Sequence, residues 1–122
     1  MSLEKNILLV DDEINLSMTL AQIMKRAGYQ VSQANTAAGA GQCLDSQPYS
    51  LMILDLGLPD VDGMTLLPIV HDRFPSMPVL ILTSYSGAAA KEEAIEKGAQ
   101  NYLLKPIDPA ELLFNIHATL GD

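Results

Sequence analysis

Five short runs along the chain read as strands, each bounded by polar or turn-forming residues: Asn6 to Val10, Tyr29 to Ala34, Leu51 to Leu54, Val79 to Thr83 and Asn101 to Leu104. Several are almost wholly aliphatic, the pattern of a strand buried on both faces of a parallel sheet. Stretches of helical length separate them. In the first, Leu16, Leu20, Ile23 and Ala27 fall on one helical face, and Gly28 follows as the expected left-handed stop. In the last, Asp108 reads as an N-cap, Pro109 as the first helical residue and Glu111 as the acid of a capping-box-like start, with Leu112, Leu113, Ile116 and Leu120 forming an apolar stripe. Strict alternation of strand and helix predicts an α/β fold, a doubly wound five-stranded parallel sheet with helices on both faces and right-handed crossovers. The order of the strands does not follow from this pattern.

At 122 residues the chain fits one domain, 1–122, built on a single core region. Apolar residues make up 48% and charged residues 18%, which excludes disorder, and no apolar stretch approaches the roughly 20 residues of a membrane helix. A net charge of -8 repels phosphate backbones and anionic lipid, so the expectation is no direct nucleic-acid binding and no membrane binding. Cys43 is the single cysteine and no secretory leader is evident, which points to a reducing cytoplasm. Met1-Ser2-Leu3 reads as a cloning scar, with residues 1–5 partly tag-derived, and a chain that stops at Gly121-Asp122 directly after an amphipathic segment reads as a piece of something longer.

The chemistry lies where the apolar runs stop. Ile7-Leu8-Leu9-Val10 runs into Asp11 and Asp12, and Leu51-Met52-Ile53-Leu54 runs into Asp55. In open α/β sheets ligands bind just beyond the carboxyl ends of the strands, so these acids should share one crevice. Carboxylates crowded together raise one another's pKa unless a cation neutralises them, and oxygen ligands of this kind suit Mg2+. After Asp55 comes a compact Gly57-Leu58-Pro59-Asp60-Val61-Asp62-Gly63 loop, while Thr83 ends the fourth run and Lys105-Pro106 the fifth. Acids, a hydroxyl and a lysine on one rim form a set suited to phosphoryl transfer. Plainer readings exist for each member: Asp11 and Asp12 as caps of the next helix, Thr83 as a β-branched strand residue, Lys105 as a solvated charge. Asp60 and Asp62 read as turn formers, Met18, Met24, Met52, Met64 and Met77 as core filling, Cys43 as a small buried apolar residue, and His71 and His117 as helical surface residues without partners at metal-ligand spacing.

Taken in order, Val10-Asp11-Asp12-Glu13, Asp55 with Leu58-Pro59 and Asp62-Gly63, Leu82-Thr83-Ser84, and Lys105-Pro106 give the chain a resemblance to the receiver domain of two-component response regulators over essentially its whole length. The resemblance implies a flavodoxin-like sheet of order 2-1-3-4-5. It implies that Asp55 is the nucleophile that takes a phosphoryl group from a phosphohistidine, that Asp12 and Asp55 offer carboxylates to Mg2+, that Asp11 supports the metal through water, and that Gly57 supplies its backbone carbonyl. Lys105 would pair with the phosphoryl group and Thr83 would hydrogen-bond it. Tyr102 would be the aromatic switch, which turns inward and remodels the surface of the fourth helix, fifth strand and fifth helix. The implied partners are a sensor histidine kinase or phosphotransfer protein, a C-terminal DNA-binding or ATPase output domain, and a second copy through the switch surface. On this reading the domain is no enzyme beyond its own phosphorylation and dephosphorylation.

Three positions depart from the family pattern. Asn101 stands where many relatives carry an acid, Gly57 offers no side chain to orient a water, and Tyr85 is bulky. Hydrolysis of an acyl phosphate needs an oriented in-line water, so slow self-dephosphorylation is expected. Competing functions are a haloacid-dehalogenase-like phosphatase, against which Asp11-Asp12-Glu13 lacks the D-x-D pattern, and a flavodoxin-like cofactor binder, whose flavin phosphate Asp11 and Asp12 would repel. A receiver used only as an unphosphorylated docking module is a third.

Overall fold

The computed structural model describes residues 5–122, so the cloning-scar reading of Met1, Ser2 and Leu3 lies outside the described residues. The elements alternate as β1 (Asn6–Val10), α1 (Ile14–Arg26), β2 (Gln30–Ala34), α2 (Ala37–Ser46), β3 (Leu51–Leu54), α3 (Gly63–Arg73), β4 (Val79–Thr83), α4 (Ala88–Glu96), β5 (Asn101–Leu104) and α5 (Pro109–Leu120). All strand pairs are parallel and the order is β2-β1-β3-β4-β5. The aliphatic runs bury both faces. Leu8, Val10, Met52, Leu54, Val79 and Ile81 pack with Ala40, Leu44, Leu67, Val70 and Ala94 of α2, α3 and α4. Ile7, Leu9, Leu51, Ile53, Leu80 and Leu82 pack with Leu20, Ala21, Met24, Leu112 and Ile116 of α1 and α5. Each buried Leu, Ile, Val or Met among them contributes about 1.5–3 kcal/mol, so the central strands are firm supports for whatever their ends carry.

Local chemistry explains where elements stop. The β2 ladder begins at Gln30, not at the expected Tyr29, because the Tyr29 amide is used by the preceding helix. Gly28, at φ 103°, lets its N–H reach the Lys25 carbonyl and the Tyr29 N–H reach that of Met24, which closes α1 in a Schellman turn. At α5 Asp108 caps as expected, its carboxylate accepting from the Ala110 amide at 2.8 Å ahead of Pro109.

Several expectations need correction. The buried face of α1 is Ser17, Leu20, Ala21 and Met24, so Leu16 and Ile23 lie at its margins and Ala27 is exposed at the helix end. Ser17 is tolerated there because its hydroxyl donates to Gln33 Oε1 at 3.3 Å. Met18, on the opposite face, is 52% exposed and fills no core. Cys43 is half-buried at the core margin. His117, expected at the surface, is half-buried, and its Nδ1 lies 2.7 Å from the Tyr29 hydroxyl, which donates to Asp122 Oδ2 at 2.7 Å.

Candidate functional site

Parallel pairing continues one rung past three of the strands, and this extra rung fixes the site. Asp11 donates its amide to the Ala34 carbonyl at 3.0 Å, Asp55 to Val10 at 2.9 Å, and Lys105 to Thr83 at 2.8 Å. The chain thus delivers acid and lysine side chains from the rigid rim of the sheet. β1 and β3 are neighbours whose onward connections lead to opposite faces, so the crevice between Asp11 and Asp55 is the topological switch point.

Oxygens of Asp11, Asp12 and Asp55 all lie within 4.8 Å of one another. Asp11 is 1% exposed, Asp55 is buried and Asp12 is open to solvent. The Lys105 ammonium stands 2.9 Å from Asp11 Oδ2 and 3.0 Å from both Asp55 Oδ2 and Glu13 Oε2. Burial alone would lower the Lys105 pKa, but hydrogen bonds to Asp11, Asp55 and Glu13 outweigh it and raise the value. Burial pushes the Asp11 carboxyl above its ordinary range, against the opposing pull of Lys105 and of the Glu13 amide. That amide donates to Asp11 Oδ1 at 2.9 Å, a turn bond ahead of α1, whose N-cap Glu13 makes no side-chain capping bond, so Asp11 does not cap the helix as the plainer reading had it. Asp11 Oδ2 is paired with the Lys105 ammonium, which it shares with Asp55 and Glu13. A buried carboxylate that shares one ammonium with two other acids, in a cluster of three aspartates, suits a hard divalent cation that takes oxygen ligands.

Around this cluster the loop after β3 is closely fitted. The Gly57 amide donates to Asp55 Oδ1 at 3.2 Å. A Cβ at Gly63 would stand 2.5 Å from Leu56 Cα and 2.8 Å from the Asp55 carbonyl oxygen, so only glycine lets α3 start against the backbone of Asp55. The Asp62 carboxylate accepts from Met64 N at 3.0 Å and caps α3. Thr83 is buried at the end of β4, and its hydroxyl accepts from the Tyr85 amide at 3.4 Å. Tyr102 is buried too and already lies inward, its hydroxyl donating to the Tyr85 carbonyl at 2.7 Å. Burial, then the Asp55 charge, raises its pKa. The peptide between Lys105 and Pro106 is cis.

Asp11, Asp12, Asp55 and Lys105 are brought together as the sequence suggested, with Thr83 on the adjacent strand end and Gly57 in the adjoining loop. Two residues make contacts that the sequence did not assign to them. Glu13 reaches Lys105, and its signal was the unbroken acid run Asp11-Asp12-Glu13. Asp60, read as a turn former, lies in a bend and accepts from the Val61 amide at 3.1 Å, and it also accepts from the Ala37 and Ala38 amides of α2 at 2.9 and 3.0 Å, a contact between distant segments that no local pattern announces.

An acid cluster with a lysine at the switch point of a 2-1-3-4-5 parallel sheet defines a class of small doubly wound α/β domains. Residues 7–117 match the model of the response regulator receiver domain, and the chain belongs to that family. It is 41% identical over 118 residues to the transcriptional regulatory protein GltR of Pseudomonas aeruginosa, covering 95% of this chain and 49% of GltR. It is 39% identical to BasR of Escherichia coli, covering 93% of this chain and 51% of BasR. ZraR of Escherichia coli, at 35% identity, is covered over 25% of its length, so the chain spans about half or less of these relatives. A CheY-like receiver domain from Methanospirillum hungatei superposes with a TM-score of 0.93 at 31% identity, over 98% of this chain and 95% of that one.

Proposed function

We propose that Asp55 is the phosphoacceptor of this receiver domain and that the domain spans the whole chain. The observation that carries the reading is the convergence of Asp11, Asp12 and Asp55 around Lys105 at the switch point. In the reaction a carboxylate oxygen of Asp55 attacks the phosphorus of a phosphohistidine, the P–O bond forms as the P–N bond breaks, and the imidazole leaves with a proton from solvent. Lys105 meets the charge on the phosphoryl oxygens, and the Thr83 hydroxyl hydrogen-bonds one of them. Asp12 and Asp55 would hold Mg2+ directly, together with the Gly57 carbonyl, and Asp11 through water. When bound, the ion would neutralise the crowded acids and offset charge on the transferring group. The donor would be a sensor histidine kinase or a phosphotransfer protein in the cytoplasm. Beyond its own phosphorylation and dephosphorylation the domain has no reaction to catalyse.

An aspartyl phosphate adds charge and acceptors that draw Thr83 toward Asp55, favouring the state in which Tyr102 lies inward. The surface that reports this is α4-β5-α5, which exposes Ile95, Leu104 and Phe114, the last at 71%. Such a surface suits a second copy or an output domain, DNA-binding or ATPase, in a longer protein. Intact mass after incubation with a small phosphodonor and Mg2+ tests the proposal: the wild type gains one phosphate and Asp55→Asn none. Equal gain by both overturns it.

The same site argues for a long-lived phosphate. A Cβ at Gly57 would lie 3.8 Å from the Tyr85 hydroxyl and 4.0 Å from Asp55 Oδ1, so an amide placed there reaches the space where an attacking water must sit. Gly57→Asn should shorten the lifetime of radiolabelled Asp55 phosphate, and equal or slower decay contradicts this.

A further inference from the structure

We propose that Asp60 is a positioning residue for the metal pocket: it ties the loop carrying Gly57 to the start of α2, and through that corner to the strand end carrying Asp11. The inference rests on the receiver reading above. Asp60 Oδ1 accepts from the Ala37 amide at 2.9 Å and Oδ2 from the Ala38 amide at 3.0 Å, so both carboxylate oxygens grip the first turn of α2. One step earlier, Asn35 Nδ2 donates to the Asp11 carbonyl at 3.0 Å. Residues 35–38 therefore hold both acid-bearing loops, Asp11 by its backbone and the β3–α3 loop by Asp60.

Thr36, the N-cap of α2, accepts from the Gly39 amide at 2.9 Å and leaves the Ala37 and Ala38 amides to Asp60. Because Asp60 lies 22 residues beyond Ala38, the bonds that finish this helix end also fix a loop. Gly63 and Asp62 anchor the far end of the segment that begins at Asp55, and Asp60 anchors its middle, three residues beyond Gly57. The Ala37 and Ala38 amides also hold the Asp60 carboxyl below the usual carboxylate range, so it stays ionised and bonded at neutral pH. A hard cation that needs several oxygens in fixed places binds more weakly when one donor loop must be ordered on binding.

The test compares Mg2+ affinity, read from amide shifts in NMR titrations, for the wild type, Asp60→Ala, Asp60→Asn and Thr36→Ala. Asp60→Ala should bind about tenfold more weakly, the low end for residues that orient metal ligands. Asp60→Asn, which keeps one acceptor oxygen, should fall between, and it carries the comparison if Asp60→Ala fails to fold. Thr36→Ala should lower the melting temperature without changing affinity. In metal-free protein the Gly57 and Val61 amides should exchange faster in Asp60→Ala than in the wild type. Wild-type affinity in both Asp60 variants, or equal weakening by Thr36→Ala, overturns the assignment while leaving the receiver reading intact. Absence of saturable Mg2+ binding by the wild type overturns both.

Discussion

The two ends of the sheet carry polar clusters of opposite design. At the carboxyl ends of the strands one ammonium, Lys105, faces Asp11, Glu13 and Asp55. At the amino ends one carboxylate, Asp122, takes the Lys5 ammonium on one oxygen and the Tyr29 hydroxyl on the other, with His117 beside it. The same residue type responds in opposite directions: burial raises the Asp11 pKa, whereas hydrogen bonds from Lys5 and Tyr29 lower that of Asp122. A cluster that satisfies its own charge is structural, like the lower one. The upper cluster is short of positive charge, with one ammonium facing three carboxylates, the condition of a site arranged for something that binds.

Removing the scarce cation should have the largest effect on stability. Lys105→Met leaves two buried carboxylates without their ion pair and should cost about 3 kcal/mol in metal-free urea unfolding at neutral pH. Unchanged stability would mean that Lys105 compensates nothing.

A smaller change of opposite sign is expected at Asp11. Its folded pKa lies above the unfolded value of 3.8, so ionisation is harder in the folded state. The resulting penalty is absent below the unfolded value, grows as pH rises and is complete above the folded value. Asp11→Asn should therefore raise the metal-free melting temperature by a few degrees at neutral pH and change it little near about pH 3. A fall at neutral pH would show that Asp11 stabilises the metal-free fold, as Asp122 does below.

The smallest effect belongs to the lower cluster. Tyr29→Phe removes the hydroxyl between His117 and Asp122 and should cost about 1 kcal/mol, with Mg2+ affinity unchanged. A change in that affinity would join the two ends of the sheet and dissolve the contrast.

Much of this was legible in the sequence because it is local. Aliphatic runs mark the strands, and the acids, threonine and lysine at their ends follow from the rule that α/β sites sit beyond carboxyl ends. What escaped depends on contacts between distant segments. Asp60 reaches α2 across 23 residues, and Tyr29 meets His117 across 88. The burial of Ser17 in place of Ala27 depends on Gln33, a residue of another element. The inward position of Tyr102 depends on a carbonyl in the β4–α4 connection, which no periodicity encodes.

The central claim is that one cation belongs among these carboxylates. Crystals soaked in Mn2+, which shares the preference of Mg2+ for oxygen ligands, would locate it by anomalous scattering. The account predicts a single strong peak enclosed by Asp11, Asp12, Asp55 and the Gly57 carbonyl, absent in Asp55→Ala crystals. A peak elsewhere, or none in the wild type at saturating Mn2+, would contradict it.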